Sequence, residues 1–224
     1  MNNSVANTAR VLGAGLRALL VLTLVCGVIY PLLVTGVAQL AFPDKANGSA
    51  IKSGGKVVGS ALIGQTYNLP KKNPADPDEP PLPDLRWFQP RPSHGLGTNT
   101  LNTGYQLLVS GATNLSADNE KLIAQVEQAK EAVVRDNSTP GYPVPPSDVP
   151  ADAVTSSGSG LDPEISPAYA KLQIRRVAEK NHLDVTEVEA LVTQHTHPRT
   201  LGFLGEPGVN VLELNVALGA LARG

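Results

Sequence analysis

From Ala18 to Pro43 the chain carries no charged side chain, and only Thr23, Thr35 and Gln39 interrupt a run of Leu, Val, Ala, Gly and Ile. A helix rises about 1.5 Å per residue, so roughly 20 apolar residues cross a hydrocarbon layer of about 30 Å. A buried helix of a soluble domain rarely runs so far without a polar face. The stretch is therefore read as a transmembrane helix over 18–43. Pro31, following Tyr30, predicts a kink. Gly27, Pro31 and Gly36 are its candidate packing positions, because small residues let a neighbouring helix approach closely.

Arg10 and Arg17 are the only charges before the run, and the first acid is Asp44. Positive residues hold their end in the cytoplasm, which places 1–17 inside the cell and the remainder outside. A cleaved signal peptide has a shorter apolar core followed by a small-x-small site. Ala38 and Ala41 are wrongly spaced for that site, so the helix is expected to stay as an anchor.

Beyond Pro43 lie 181 residues with all 20 acids and 16 of the 18 bases, a net charge of −4. That balance argues against nucleic acid and against a field that steers phosphate ligands. The one cysteine, Cys26, sits in the apolar run, so no disulfide staples the rest. The expected architecture is α+β: one transmembrane helix, a Gly-rich polar tether over 44–56, and one mixed helix/strand extracytoplasmic domain over 57–224.

Within that domain, Val57-Val58 and Ala61-Leu62-Ile63, bracketed by Gly59 and Gly64, read as short strands. Asn68 to Arg86 holds six prolines and reads as an exposed, partly extended loop. A Gly-, Asn- and Thr-rich segment runs from His94 to Asn114, broken by Leu107-Leu108-Val109. Ser116 is expected to open a helix with the stripe Leu122, Ile123, Val126, Ala129 and Val133, ending near Asp136-Asn137. Ser166-Pro167 starts another that runs to Asn181-His182. Asp184 and Glu187 have capping-box spacing for a third, with Val185, Val188, Leu191 and Val192 inward. Val211–Leu221 reads as a last helix, with a strand over 209–214 as the alternative.

Catalytic motifs are missing. Gly55-Lys56 lacks the earlier glycine and the following Ser/Thr of a phosphate loop. Asp44-Lys45-Ala46-Asn47 is far from a phosphoryl-acceptor sequence, and Thr103-Gly104-Tyr105 is a single filter-like turn where a potassium filter needs several. Ser159 between Gly158 and Gly160 is not a nucleophile elbow. A triad with Asp162 and His182, His195 or His197 is not visible in sequence. His195 and His197 have no cysteines to complete a zinc site, so no metal is expected. Ser, Gly, Asn, Asp and Pro packed into loops suit an interaction surface instead.

Several stretches together resemble the C subunit of Kdp-type potassium-transporting ATPases. They are Tyr30-Pro31, Phe42-Pro43, Gly59-Ser-Ala-Leu-Ile-Gly-Gln65, Arg91-Pro-Ser93 and Ser110-Gly-Ala-Thr-Asn-Leu115. Further along come Ser157-Gly-Ser-Gly-Leu-Asp-Pro163, Ile165-Ser166, Gln173 with Arg176-Val-Ala178, Gly205-Glu-Pro207, Val209-Asn-Val-Leu212 and Leu214-Asn215. The proline-rich run, Glu164 and Gly208 depart from the pattern. The resemblance implies a non-catalytic accessory subunit in the bacterial inner membrane. Its implied partners are a potassium-translocating A subunit, an ATP-hydrolysing B subunit and a small F subunit. It also implies a catalytic chaperone that raises the B subunit's affinity for ATP, which conflicts with an outside domain unless the effect travels through partners. Gln65, Arg91, Ser93, Ser157, Ser159 and Asp162 are the candidate contact residues. The alternatives are a signal-anchored hydrolase and a ligand-binding module.

Overall fold

A computed structural model describes residues 2–73, 75–76, 79–94, 96–98 and 108–223, in two compact units that meet at Ala50/Ile51. The first is helical: α1 (Asn2–Leu24), a π turn (Val25–Ile29), α2 (Tyr30–Ala41) and the single turn α3 (Pro43–Ala46). Ser4–Ala41 is long and apolar enough to cross a membrane, and its Leu, Val and Ile side chains are exposed. The disturbance at Pro31 takes the form of the π turn, in which Tyr30 N–H donates to Val25 C=O. Proline has no N–H, and its ring crowds the carbonyl four residues back; one wide turn relieves both. A Cβ on Gly36 would touch nothing, and one on Gly27 only Thr23 of the same helix, so both are open notches.

The second unit opens with β1 (Ala50–Ser53) and β2 (Lys56–Ser60). Gly54 and Gly55, both at positive φ, join them in the two-residue turn that suits a twisted hairpin. Val57-Val58 fall in β2 as expected. Ala61-Leu62-Ile63 do not form a strand: Ser60 Oγ accepts from Leu62 N–H and Ser60 C=O from Ile63 N–H, closing a turn. The Asn68–Arg86 loop is pinned by a bridge between Asn68 and Pro83, with residues 74, 77 and 78 outside the described set. Leu107 and Thr103-Gly104-Tyr105 also lie outside it; β3 (Gly97–Thr98) pairs antiparallel with β4 (Leu108–Val109).

α4 (Glu120–Asn137) begins three residues later than expected, with the cap at Asn119 in place of Ser116. Asn119 Oδ1 caps it through Lys121 N–H, while Ser116 Oγ is spent on Asp118. Val133 is buried and Val126 and Ala129 pack on the core, but Ile123 is exposed. β5 (Glu164–Ile165) leads into α5 (Pro167–Asn181), capped by Ser166 Oγ on Tyr169 N–H. It ends at His182 in the left-handed region, with Leu183 N–H returning to Ala178 C=O. α6 (Val185–Gln194) has the Asp184/Glu187 capping box. Val188 and Val192 are buried there, whereas Val185, in the first turn, faces solvent.

β6 (Thr196–His197) and β5 both pair antiparallel with β7 (Gly208–Asn210), which is buried between them. Asn210 Oδ1 then caps α7 (Val211–Leu221) on Glu213 N–H. The strand alternative for 209–214 stops at Asn210. One core gathers Ile165, the inner faces of α5, α6 and α7, Val209 and Phe88.

Candidate functional site

Two buried amides set up the site by acting as strand partners for an extended segment. Asn215 on α7 accepts Phe88 N–H at 2.9 Å and donates to Phe88 C=O at 3.0 Å. Gln173 on α5 does the same for Gln89, at 2.7 and 3.1 Å. Arg176, buried on α5, donates to the carbonyls of Leu85 and Trp87, to Asn137 Oδ1 at 2.8 Å and to Gln173 Oε1 at 2.6 Å. Upstream, Arg86 clamps Asp84 with two hydrogen bonds, and these hold the Asp84 carboxyl below the usual carboxylate range. The segment 84–89 thus has its backbone fixed from two helices, α5 and α7, and delivers Pro90, Arg91, Pro92 and Ser93 in one orientation.

Arg91 Nη1 meets Asp162 Oδ2 at 2.9 Å, with both side chains about a quarter exposed. Asp162 Oδ1 accepts Glu164 N–H, the turn that opens β5. Ser93 Oγ donates to Gly160 C=O at 2.7 Å. Ser157 Oγ accepts Gly160 N–H at 3.0 Å and Ser159 Oγ accepts Leu161 N–H at 3.1 Å. Gln65 Nε2 donates to Val58 C=O, and Gly64 N–H to Leu161 C=O at 2.8 Å. Two glycines permit this packing. A Cβ on Gly64 would collide with the Asp162 carbonyl; Gly160 is at φ +68°, and a Cβ there would meet the Leu96 side chain.

Between these strands of chain lies a cavity of about 680 Å³. Five of the six sequence-chosen contact residues line it: Gln65, Arg91, Ser93, Ser157 and Asp162. Ser159 is on the exposed turn behind it. Ile63, Leu96, Leu161 and the two prolines supply apolar walls. The volume suits a small ligand or a few inserted side chains. Its one cation and one anion neutralise each other, so the wall attracts no ion by net charge. The serine oxygens accept backbone N–H groups, and Asp162 is taken by Arg91; neither is poised as nucleophile or orienting acid. His195 bonds Leu191 C=O and His197 pairs with Glu164 at 2.8 Å, so the two rings serve different partners. Among the described residues no three His, Cys, Asp or Glu side chains converge.

Sequence reasoning missed Gln173, Arg176 and Asn215 as the residues that position the site. The signal available was polar side chains on otherwise apolar helix faces.

The family described as KdpC, the K+-transporting ATPase c chain, matches residues 12–220. The potassium-transporting ATPase KdpC subunit of Streptomyces coelicolor is 68% identical over 218 residues, covering 97% of this chain and 96% of the relative. That of Gemmatimonas aurantiaca is 46% identical over 92% of this chain and 93% of its own. The KdpC subunit of Mycobacterium tuberculosis is 44% identical, again over 92% of this chain and 96% of the relative. With a family match over residues 12–220 and relatives this similar over nearly the whole chain, the chain belongs to the KdpC family of potassium-transporting ATPase subunits.

Proposed function

We propose that this chain is the single-pass accessory subunit of an ATP-driven potassium pump and that the Arg91–Asp162 cavity is part of the surface that docks on a partner. The subunit identity rests on family membership; the docking role rests on one observation. Five of the six residues chosen as an interaction surface, scattered over 65–162, converge on one cavity; its Gln65, Ser93, Ser157 and Asp162 groups bond within the chain, while the buried Arg91 Nε has no partner among the described residues. A wall without free catalytic groups but with exposed apolar rims is suited to take up side chains of another protein.

The helix over 18–43 anchors the chain with its N-terminus in the cytoplasm, because Arg10 and Arg17 are the only charges on that side. Gly27, Pro31 and Gly36 form the notched face against the potassium-translocating A subunit, and the domain sits outside at the potassium entrance. The ATP-hydrolysing B subunit and the small F subunit complete the assembly. Help with ATP, as a catalytic chaperone, then passes through the A and B subunits as a coupling energy, without nucleotide touching this domain.

Ile63 tests the docking surface, since it is half-exposed at the cavity rim. Ile63→Glu places a charge there without touching the Arg91–Asp162 pair. In membranes solubilised around C-terminally tagged protein, the wild type is expected to recover multi-span subunits with ATPase activity. The variant should melt normally yet recover about tenfold less, the factor that 1.4 kcal/mol carries. Undiminished recovery by the variant removes the docking role. No recovery by the wild type removes the subunit reading itself.

A further inference from the structure

The ten residues between β6 and β7 form a built protrusion with an apolar tip. Thr200 and Leu204 exchange both backbone hydrogen bonds at 2.9 Å, and Arg199 and Glu206 close the base with an ion pair at 2.6 Å. At the tip Leu201 is 79% exposed, Phe203 68% and Leu204 49%. Leu201 also has φ +55°, a conformation that a leucine adopts at a cost. Strained backbone holding three large apolar side chains in water marks an interaction site, not a loose loop.

The backbone says what covers it. Of the five N–H groups over 200–204, four, those of Thr200, Gly202, Phe203 and Leu204, donate within the loop, to Leu204, Arg199 and Thr200 carbonyls. A loop that satisfies most of its own N–H groups needs little from a partner, and its backbone can lie at the headgroup level, where water serves the rest, while the three apolar side chains enter the acyl edge. The charges are confined to the base and are paired there, Arg199 with Glu206 and His197 with Glu164. Finally, nine residues, four of them in α3, lie between Ala41 and Ile51, a tether of at most about 35 Å, so contact of the domain with the bilayer is an intramolecular event.

We propose that the Leu201–Leu204 tip is a membrane-interface anchor that dips into the headgroup and upper acyl layer of the bilayer holding the chain's helix. This requires only that the helix is in that bilayer; it holds for either orientation and needs no contact at the Arg91–Asp162 cavity. The tip's small area gives weak binding alone, and the helix makes it effective. Insertion then fixes which face the domain turns to the membrane.

The test uses the full chain with Cys26→Ser and Phe203→Cys, labelled with an environment-sensitive thiol fluorophore and reconstituted in phosphatidylethanolamine–phosphatidylglycerol vesicles. The expected result is a blue-shifted, several-fold brighter emission than in detergent-free buffer-exposed controls labelled at Lys130→Cys, quenched by nitroxides on shallow lipid positions. Adding Leu201→Ser and Leu204→Ser should abolish both effects while circular dichroism stays unchanged. Chain that floats with the vesicles but shows water-like emission at position 203 overturns the proposal. So does emission in the assembled pump that is blue-shifted yet blind to lipid nitroxides, which would place the tip in a partner protein. Chain that does not float removes the anchored helix, and the proposal falls with it; unlike the other outcomes, that also contradicts the single-pass reading.

Discussion

Arg176 donates to four acceptors, two amide oxygens and the carbonyls of Leu85 and Trp87, and none is a carboxylate. Burial pushes its guanidinium down to about 10, which leaves it charged at neutral pH. Its role is geometric: a planar fork that reaches α4, α5 and the segment before Arg91 at once. Arg176→Met strands those acceptors in the core, and the expected loss is about 3 kcal/mol of unfolding free energy. Arg176→Lys keeps the charge but not the fork and should recover only a minor part. Urea unfolding of the full chain in detergent, followed through Trp87, the single tryptophan, reads both variants. A loss under about 1 kcal/mol for the methionine variant would return Arg176 to the rank of an ordinary surface residue. Gln173, Arg176 and Asn215 stand in the sequence as polar residues on apolar faces. Their partners are 84 to 127 residues away for the two amides, a distance no local pattern encodes.

At the scale of elements, what could be read was what is decided locally. The Ser166-Pro167 start, the Asp184/Glu187 box and the Asn210/Glu213 cap each depend on side chains within three residues, and each is present. Strands of two or three residues leave no period to detect, so β5 and β6 were illegible. At Ala61-Leu62-Ile63 an apolar triplet looked like a strand, but Ser60 Oγ captured the amide that pairing needed. Asn210 joins both levels. Its Oδ1 caps α7, while its Nδ2 reaches Ala61 C=O at 2.8 Å and ties the turn after β2 to the central strand. Asn210→Ala should therefore cost about 1–2 kcal/mol. Asn210→Ser restores the cap acceptor and not the second bond, so roughly half should return. Thermal melts of the two variants separate the contributions; equal losses would mean that the cap contributes nothing.

For the molecule as a whole, the decisive quantity is which side of the membrane carries the domain. The uncharged helix was legible because the bilayer imposes a length and a composition on it that soluble folds do not. Its orientation rests on two arginines alone. Two exposed positions put it to the test: Ala6, ahead of the apolar run, and Lys130, on the outer face of α4. In a Cys26→Ser background, a membrane-impermeant maleimide should label Lys130→Cys in spheroplasts that remain intact, and reach Ala6→Cys only after lysis. Reversed labelling would put the Arg91–Asp162 cavity in the cytoplasm with the nucleotide. The route for any effect on ATP would then change from coupling through neighbouring subunits to direct contact, and the domain could no longer stand at the potassium entrance. Labelling of both positions in intact spheroplasts would show a helix that lies along the membrane without crossing it. The same helix could still bring the Leu201–Leu204 tip to lipid, because that reach depends on tether length and not on side.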